Sequence, residues 1–362
     1  MTFPRLSPSL LGASDPLTQV SFSVAGKMMD PNKIGWSFSL EQEIARNMAV
    51  TASYVGSHSY HLVVGENGNQ ALSQTDPATG RKFIPQPARF RNPNLGQVQF
   101  FMENTGNADY HGLQWGLNRR MTRGFQAQVS YTWSRFISET EGPLQRLFEP
   151  EERTGPGATQ NLDDRKIDRG LSIYDIRHAA SVNFMYEFPF ARPLAGVAGT
   201  LLSGWSVNSI LSFATGSPFS LQLGTDRTNS RVSGGILTDR PDLKPGGDNN
   251  PVLGAPDRYY DASQFVLQPL GFFGNLGRNT VIGPGRTMAD LSLVKNTPLG
   301  RISETSKLQF RAELFNLLNR ANLGTPFNIP VTSTGGVDPR AGVINRTITT
   351  SRQIQFGLKF IF

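Results

Sequence analysis

The sequence predicts an all-β fold, an antiparallel transmembrane β-barrel, and three observations predict it. Apolar and polar residues alternate with a strand period from end to end. Short and long connections alternate along most of the chain. No stretch has the length of about 18 apolar residues that a membrane helix needs. The 362 residues are 38% hydrophobic and 17% charged, with a mean hydropathy of -0.30. That average excludes a helical membrane protein but not a barrel, whose lipid-facing and lumen-facing residues alternate and cancel in any average.

The opening MTFPRLSPSLLGASDPL lacks a basic segment followed by an apolar one, so it does not read as a secretory signal. Residues 1–17 are expected to be irregular and residues 18–362 to form the barrel portion. From Val20 onward period-two segments follow one another. They are Val20, Phe22, Val24; Trp36, Phe38, Leu40; Met48, Val50, Ala52, Tyr54; and Leu113, Trp115, Leu117. FQAQVSYTWS is the cleanest: Phe125, Ala127, Val129, Tyr131 and Trp133 are apolar, and Gln126, Gln128, Ser130, Thr132 and Ser134 are polar. Then come Val182, Phe184, Tyr186, Phe188; Trp205, Val207, Leu211, Phe213; Leu291, Leu293; and Leu308, Phe310, Ala312, Leu314. The chain closes on SRQIQFGLKFIF, in which Ile354, Phe356, Leu358, Phe360 and Phe362 share one parity. This makes about ten strands.

Short turns are expected near residues 45–47, 121–124, 189–204 and 296–306, and long Gly-, Pro-, Asn- and Asp-rich loops over 57–110, 136–177, 224–288 and 319–351. Outer-membrane barrels divide their connections this way, short on the periplasmic side and long outside. Between Trp205 and Leu223 the odd parity survives ATGSPF, so this stretch reads as one long strand bent at Gly216 and Pro218. Trp36, Trp115, Trp133 and Trp205 all lie on the apolar parity, with Trp36 and Trp205 beginning their strands and Trp133 ending its own, where an indole reaches a lipid interface. The opposite parity supplies the lumen-facing candidates Gln126, Gln128, Asn183, Glu187, Gln309, Arg311 and Glu313.

Little points to chemistry. The absence of cysteine removes disulfides and thiolate sites. His58 and His61 stand three apart in an expected loop, with no third ligand at a convincing spacing. The acidic run NLDDRKIDRG, with Asp163, Asp164 and Asp168, does not fit a calcium loop and reads as solvated. GFFGNLGRN and GPGRTMAD read as turns, and no serine sits in a nucleophile elbow. No catalytic role and no cofactor are expected. The net charge of +7 is spread over loops and strand ends and forms no nucleic-acid stripe.

The phrases HGLQWGLNRRMTRGFQAQVSYTWSRF, YDIRHAASVNFMYEFPF, LLSGWSVNSILSFATGSPFSL, GNLGRNTVIGPGRTMADLSLVKN and LQFRAELFNLLNRANLGTP fall in order along nearly the whole chain. They resemble the carboxy-terminal barrel of Oar-like TonB-dependent receptors, outer-membrane proteins with a carboxypeptidase-regulatory-like domain and a plug ahead of a barrel of about 22 strands. The resemblance implies that the chain is a fragment lacking plug and signal peptide, and that Phe362 closes a signal read by the barrel-assembly machinery. It implies residence in outer-membrane lipid, TonB coupling through the missing plug, and uptake of an unknown extracellular ligand such as an oligosaccharide or peptide. The alternatives are a surface adhesion protein built on the same barrel, and a soluble lectin-like β-sandwich.

Overall fold

The computed structural model describes residues 20–24, 26–93, 98–141, 159–189, 196–230, 239–300 and 305–362. The expected irregular segment 1–17 lies outside them. One eleven-stranded sheet organises the chain. Its main strands are β1 (Val20–Val24), β2 (Asn32–Ala45), β3 (Met48–Asn67), β4 (Val98–Thr122) and β5 (Phe125–Ser138). They continue with β6 (His178–Glu187), β7 (Trp205–Ala214), β8 (Arg286–Pro298), β9 (Lys307–Phe315) and β10 (Gln353–Ile361). From β2 to β10 each strand pairs antiparallel with the next in sequence, an up-and-down meander. Among the described residues the sheet does not close, because β2 and β10 end the order with one neighbour each. β1 departs from the expected antiparallel pattern: it lies off this path and pairs parallel with the start of β4, Val20 opposite Val98.

The register divides the sheet into two faces. One row runs Leu40, Ala52, Trp115, Tyr131, Ala180, Phe213. A row on the opposite face runs Asn118, Gln128, Asn183, Ile210, Asp290. Large apolar side chains stand exposed along the first face from one edge strand to the other, Phe38 and Leu358 each at 70%. Water would not tolerate so wide an apolar surface, and hydrocarbon solvates it. On β7 the alternation slips, with Ser209 on the apolar face and Ile210 on the polar one. The Ser209 hydroxyl donates to the Asp290 carbonyl at 2.9 Å, so it meets lipid already bonded.

The expected short turns at 45–47 and 121–124 are present, and those at 189–204 and 296–306 lie partly outside the described residues. Arg123 and Gly124 both have positive φ, 52° and 80°, the geometry that links two strands by a two-residue turn without splaying them. The connection from β6 to β7 carries the helix α1 (Gly196–Leu202). Lys295 Nζ donates to the Thr200 and Ser203 carbonyls at 2.7 and 2.9 Å, and Trp205 Nε1 to the Leu201 carbonyl at 3.0 Å, which occupies the helix's last carbonyls.

Three expectations need correction at the other end. The strands run further than their hydrophobic pattern: β3 continues to Asn67, β4 already begins at Val98, β5 reaches Ser138 and β8 starts at Arg286. Hence His58 and His61 lie in a strand, much of 57–110 is sheet, and RTMAD of the glycine-rich phrase opens β8. Above the lipid band the sheet no longer separates hydrocarbon from water, and Val64, Asn104, Ala108 and Ser138 are buried there, so the ladder persists while the alternation that revealed it lapses. For the same reason Trp36 and Trp133 sit several residues inside β2 and β5, and only Trp205 stands at a strand end. The expected bent strand from Trp205 to Leu223 stops at Ala214. The chain continues in the same sense into the loops, where Pro218–Phe219 pairs with Ile282 and Val281 in a separate small sheet. A Cβ on Gly216 would collide with the Gly283 carbonyl, which is why glycine stands at that departure.

Candidate functional site

The polar face and the long-loop end together form the part of the molecule able to meet a solute. All seven lumen-facing candidates lie on the polar face. Gln128 opposes Asn183, Gln126 aligns with Met185, and Glu187 leads through Ser206 and Val294 to Arg311. Along β9 three of them touch: Arg311 Nε donates to Gln309 Oε1 at 2.7 Å, Gln309 Nε2 to Asn296 Oδ1 at 2.8 Å, and Glu313 lies 4.0 Å from the Arg311 guanidinium. Gln126 and Gln128 are exposed, and the structure does not bring them to the β9 group. Trp36, Trp115 and Trp133 stand exposed on the apolar face at 43%, 46% and 51%. Trp205 shares that face and is half-buried under Lys295, whose Nζ lies 5.5 Å from the ring centroid. Ile354, Phe356, Leu358, Phe360 and Phe362 are exposed along the β10 edge.

Above the sheet the long loops fold on one another. Phe219, Leu221, Tyr260, Phe265 and Val281, from the β7–β8 connection, pack with Ala341 and Ile344 from the β9–β10 connection into an apolar core. Tyr260 donates its hydroxyl to the Phe327 carbonyl at 2.9 Å across the two loops, and burial pushes its phenol pKa up. A crevice of about 220 Å³ opens beside this core, between Tyr174, Pro218, Pro284, Leu323 and Ile348, where three loops meet.

Ion pairs bind the remaining loops to that core. Arg240 Nη1 donates to Asp168 at 2.7 Å and its Nε to the Leu276 carbonyl at 2.9 Å, while the Gln160 amide donates to the other Asp168 oxygen at 3.1 Å. Arg278 donates to the Ser138 carbonyl and, at 2.8 Å, to the Ser138 hydroxyl, with Glu141 3.6 Å away. Burial pushes the Glu141 carboxyl up, against the pull of the Arg278 charge. Arg81 reaches from the β3–β4 connection to Asp242 at 2.7 Å. Ser73 donates to Asp163 through both its amide and its hydroxyl at 2.9 Å, and Arg91 pairs with the same carboxylate.

The NLDDRKIDRG run is therefore no solvated loop. Asn161 and Asp168 are buried, and Arg165 to Asp168 form a short helical turn that directs Asp168 at Arg240. The partners lie 72 residues apart, so no local pattern could have marked them. Arg240 and Arg278 were missed for that reason. The only sequence signal was their setting in glycine- and proline-rich loops too long for a compact soluble domain.

Residues 2–355 match the family model described as "Outer membrane beta barrel domain". The chain belongs to that family. It is an antiparallel barrel protein of the outer membrane. Among solved structures it is similar to the outer membrane transporter YddB from Escherichia coli, at 14% identity and a TM-score of 0.44, over 91% of this chain and 32% of that one. It is also similar to the FrpB iron transporter from Neisseria meningitidis, at 12% identity and a TM-score of 0.42, over 93% of this chain and 31% of that one. A third is BauA, the ferric preacinetobactin receptor from Acinetobacter baumannii, at 11% identity and 0.38, over 91% and 29%. The chain spans about a third of the length of these structures. No curated protein matches it.

Proposed function

We propose that this outer-membrane barrel domain works as the carboxy-terminal barrel portion of an Oar-like TonB-dependent receptor, binding a solute at the interlocked outer loops and admitting it along the polar face. One observation carries the reading: a sheet that is apolar on one face and polar on the other is crowned at a single end by four long loops, two of them joined by buried ion pairs and the others held to these by a shared apolar core and by further ion pairs. A lipid-facing wall, a hydrated wall and a rigid outer surface are the parts that receptor-mediated uptake needs. The two strands with a single neighbour, β2 and β10, support association with further strands of a larger barrel, since an unpaired edge in hydrocarbon costs several kcal/mol for each unsatisfied group.

In this reading the energy-coupling plug is not among these residues and no step of the function is catalytic. Gln126, Gln128, Asn183, Glu187, Gln309, Arg311 and Glu313 line the lumen or contact the plug. The ligand is a polar solute, with oligosaccharide and peptide as the two classes to be tried. The closing strand, Ile354 to Phe362, is the element handed to the barrel-assembly machinery, because it carries both a lipid face and a free edge.

An antibody to the carboxy-terminal peptide, used on fractionated cells, tests the reading. A band in the outer membrane well above 39.7 kDa, with ligand uptake lost when TonB is deleted, is the expected result. Binding that persists with no TonB-dependent uptake would make the protein an adhesin and remove transport from the reading.

A further inference from the structure

A second concave feature lies on the outer wall, away from the polar face. Tyr54, His111, Leu113, Trp133, Arg135 and Arg177 enclose a groove of about 420 Å³. Its place in the sheet fixes its depth. Tyr54, Leu113 and Trp133 form one row of the apolar face with Phe38 and His178, and the next row toward the long loops holds Trp36, Gly56, His111 and Arg135. The row beyond contains His58 paired to Asp109 at 2.6 Å, which Arg169 also contacts at 2.7 Å, so water begins there. Below lie Leu117, Val129 and Val182, all apolar. The groove therefore opens at headgroup depth on the long-loop side, which faces the outer leaflet.

Its charge is positive. Arg135 and Arg177 both line it, and among the described residues the one carboxylate in contact, Asp175, is buried, lies 3.4 Å from Arg177 and accepts the Phe136 amide. The Tyr54 hydroxyl and His111 Nδ1 are joined at 2.8 Å on one flank, with the Trp36 ring 6.1 Å from that of His111, and the Trp133 indole stands on the other. Guanidinium groups fit phosphate oxygens two at a time, and the aromatic flanks pack against sugar or acyl groups. Isolated interfacial arginines simply extend into water. Here two converge on a concavity whose floor leads down an apolar wall.

We propose that this groove binds the phosphorylated headgroup of an outer-leaflet glycolipid, with Arg135 and Arg177 on the phosphate and the acyl chains running down past Leu113 and Leu117. The site needs only the membrane orientation of the barrel and is independent of any transported ligand.

The test uses the native protein purified from outer membranes in dodecyl maltoside micelles, with diphosphorylated lipid A, its dephosphorylated form, or phosphatidylcholine added, and bound lipid counted by native mass spectrometry. The phosphorylated lipid is expected to bind about tenfold or more tightly than either other lipid. The Arg135→Ala, Arg177→Ala double variant should lose that preference, whereas Arg120→Ala, at the short-turn end, should keep it. Heat-modifiable mobility on gels reports folding, and Arg135→Gln alone, predicted to lower affinity in the same direction, serves where the double variant does not fold. Equal binding of the dephosphorylated lipid, retention of the preference by the variants, or displacement of lipid A by inorganic phosphate would each overturn the proposal.

Discussion

Arg240 lies 2.7 Å from Asp168, with 1% and 4% of their side chains accessible, and this contact fastens the β7–β8 connection to the β5–β6 connection. A buried pair gains little over an apolar pair of the same shape, but removing one partner leaves a charge with nothing to answer it, at about 3–5 kcal/mol. Arg240→Ala should therefore loosen the loops around residues 159–177 and 239–285 while the sheet stays folded. Hydrogen exchange in detergent would read this as lost protection confined to the loops. Equal loss across β5 to β8 would mean that the pair supports the barrel itself.

Asp239 gives the loops a pH dependence. It accepts the Arg227 and Thr228 amides at 2.8 Å and the Thr228 hydroxyl at 3.0 Å, yet burial and the neighbouring Asp226 carboxylate push its pKa up to about 7. A carboxyl whose folded pKa exceeds its unfolded value holds its proton more tightly when folded. Its stabilising contribution is thus complete below about pH 4, declines as pH rises, and is gone above about pH 7. Loop protection, corrected for intrinsic exchange rates, should be greater at about pH 5 than at about pH 8. Asp239→Asn, which keeps an acceptor for the two amides, should flatten the profile; an unchanged slope would assign the effect to another group.

At Gly216 the chain leaves the sheet for the loop core because its backbone passes against the Gly283 carbonyl with no room for a side chain. Gly216→Ala should separate the Pro218–Phe219 pairing from Val281–Ile282 and expose Phe219, at a cost comparable to truncating a buried aromatic, about 3–5 kcal/mol. Loop proteolysis should then quicken well before the barrel loses its heat-modifiable mobility. Unchanged proteolysis would show that the two loops separate without cost.

How much of this the sequence revealed follows from where a residue's neighbours lie. Phe125 to Ser134 could be read because a strand between lipid and water must alternate, and the alternation is local. Asn67 and Val98 could not be recognised as strand residues, since the ladder bonds that place them in β3 and β4 leave no mark on side-chain choice. Asp168 read as solvated because its partner is 72 residues away, and Leu221 and Leu223 read as lipid-facing because a loop core wants the same apolar residues as a membrane. The lumen-facing candidates share a face by strand parity alone, whereas the contact of Gln309 with Asn296 also required the β8–β9 register.

The two faces of β5 make a direct test of membrane orientation, because Gln128 and Val129 are adjacent in sequence and differ only in side. Val129 lies in a row with Leu117, Val182 and Leu211, all apolar, and Gln128 lies between Asn118 and Asn183. From Phe125 to Trp133 the strand rises eight residues, roughly 20 Å for a strand tilted about 40°, so Val129 falls near the middle of an apolar band about 25 Å tall. A lysine there costs about 2–4 kcal/mol, whereas on the hydrated face it costs little. Val129→Lys should lower the yield of folded barrel in lipid vesicles well below that of Gln128→Lys, as measured by the heat-modifiable band. Equal yields would reverse or abolish the assigned faces, and with them the lipid site at Arg135 and the polar path along Gln128.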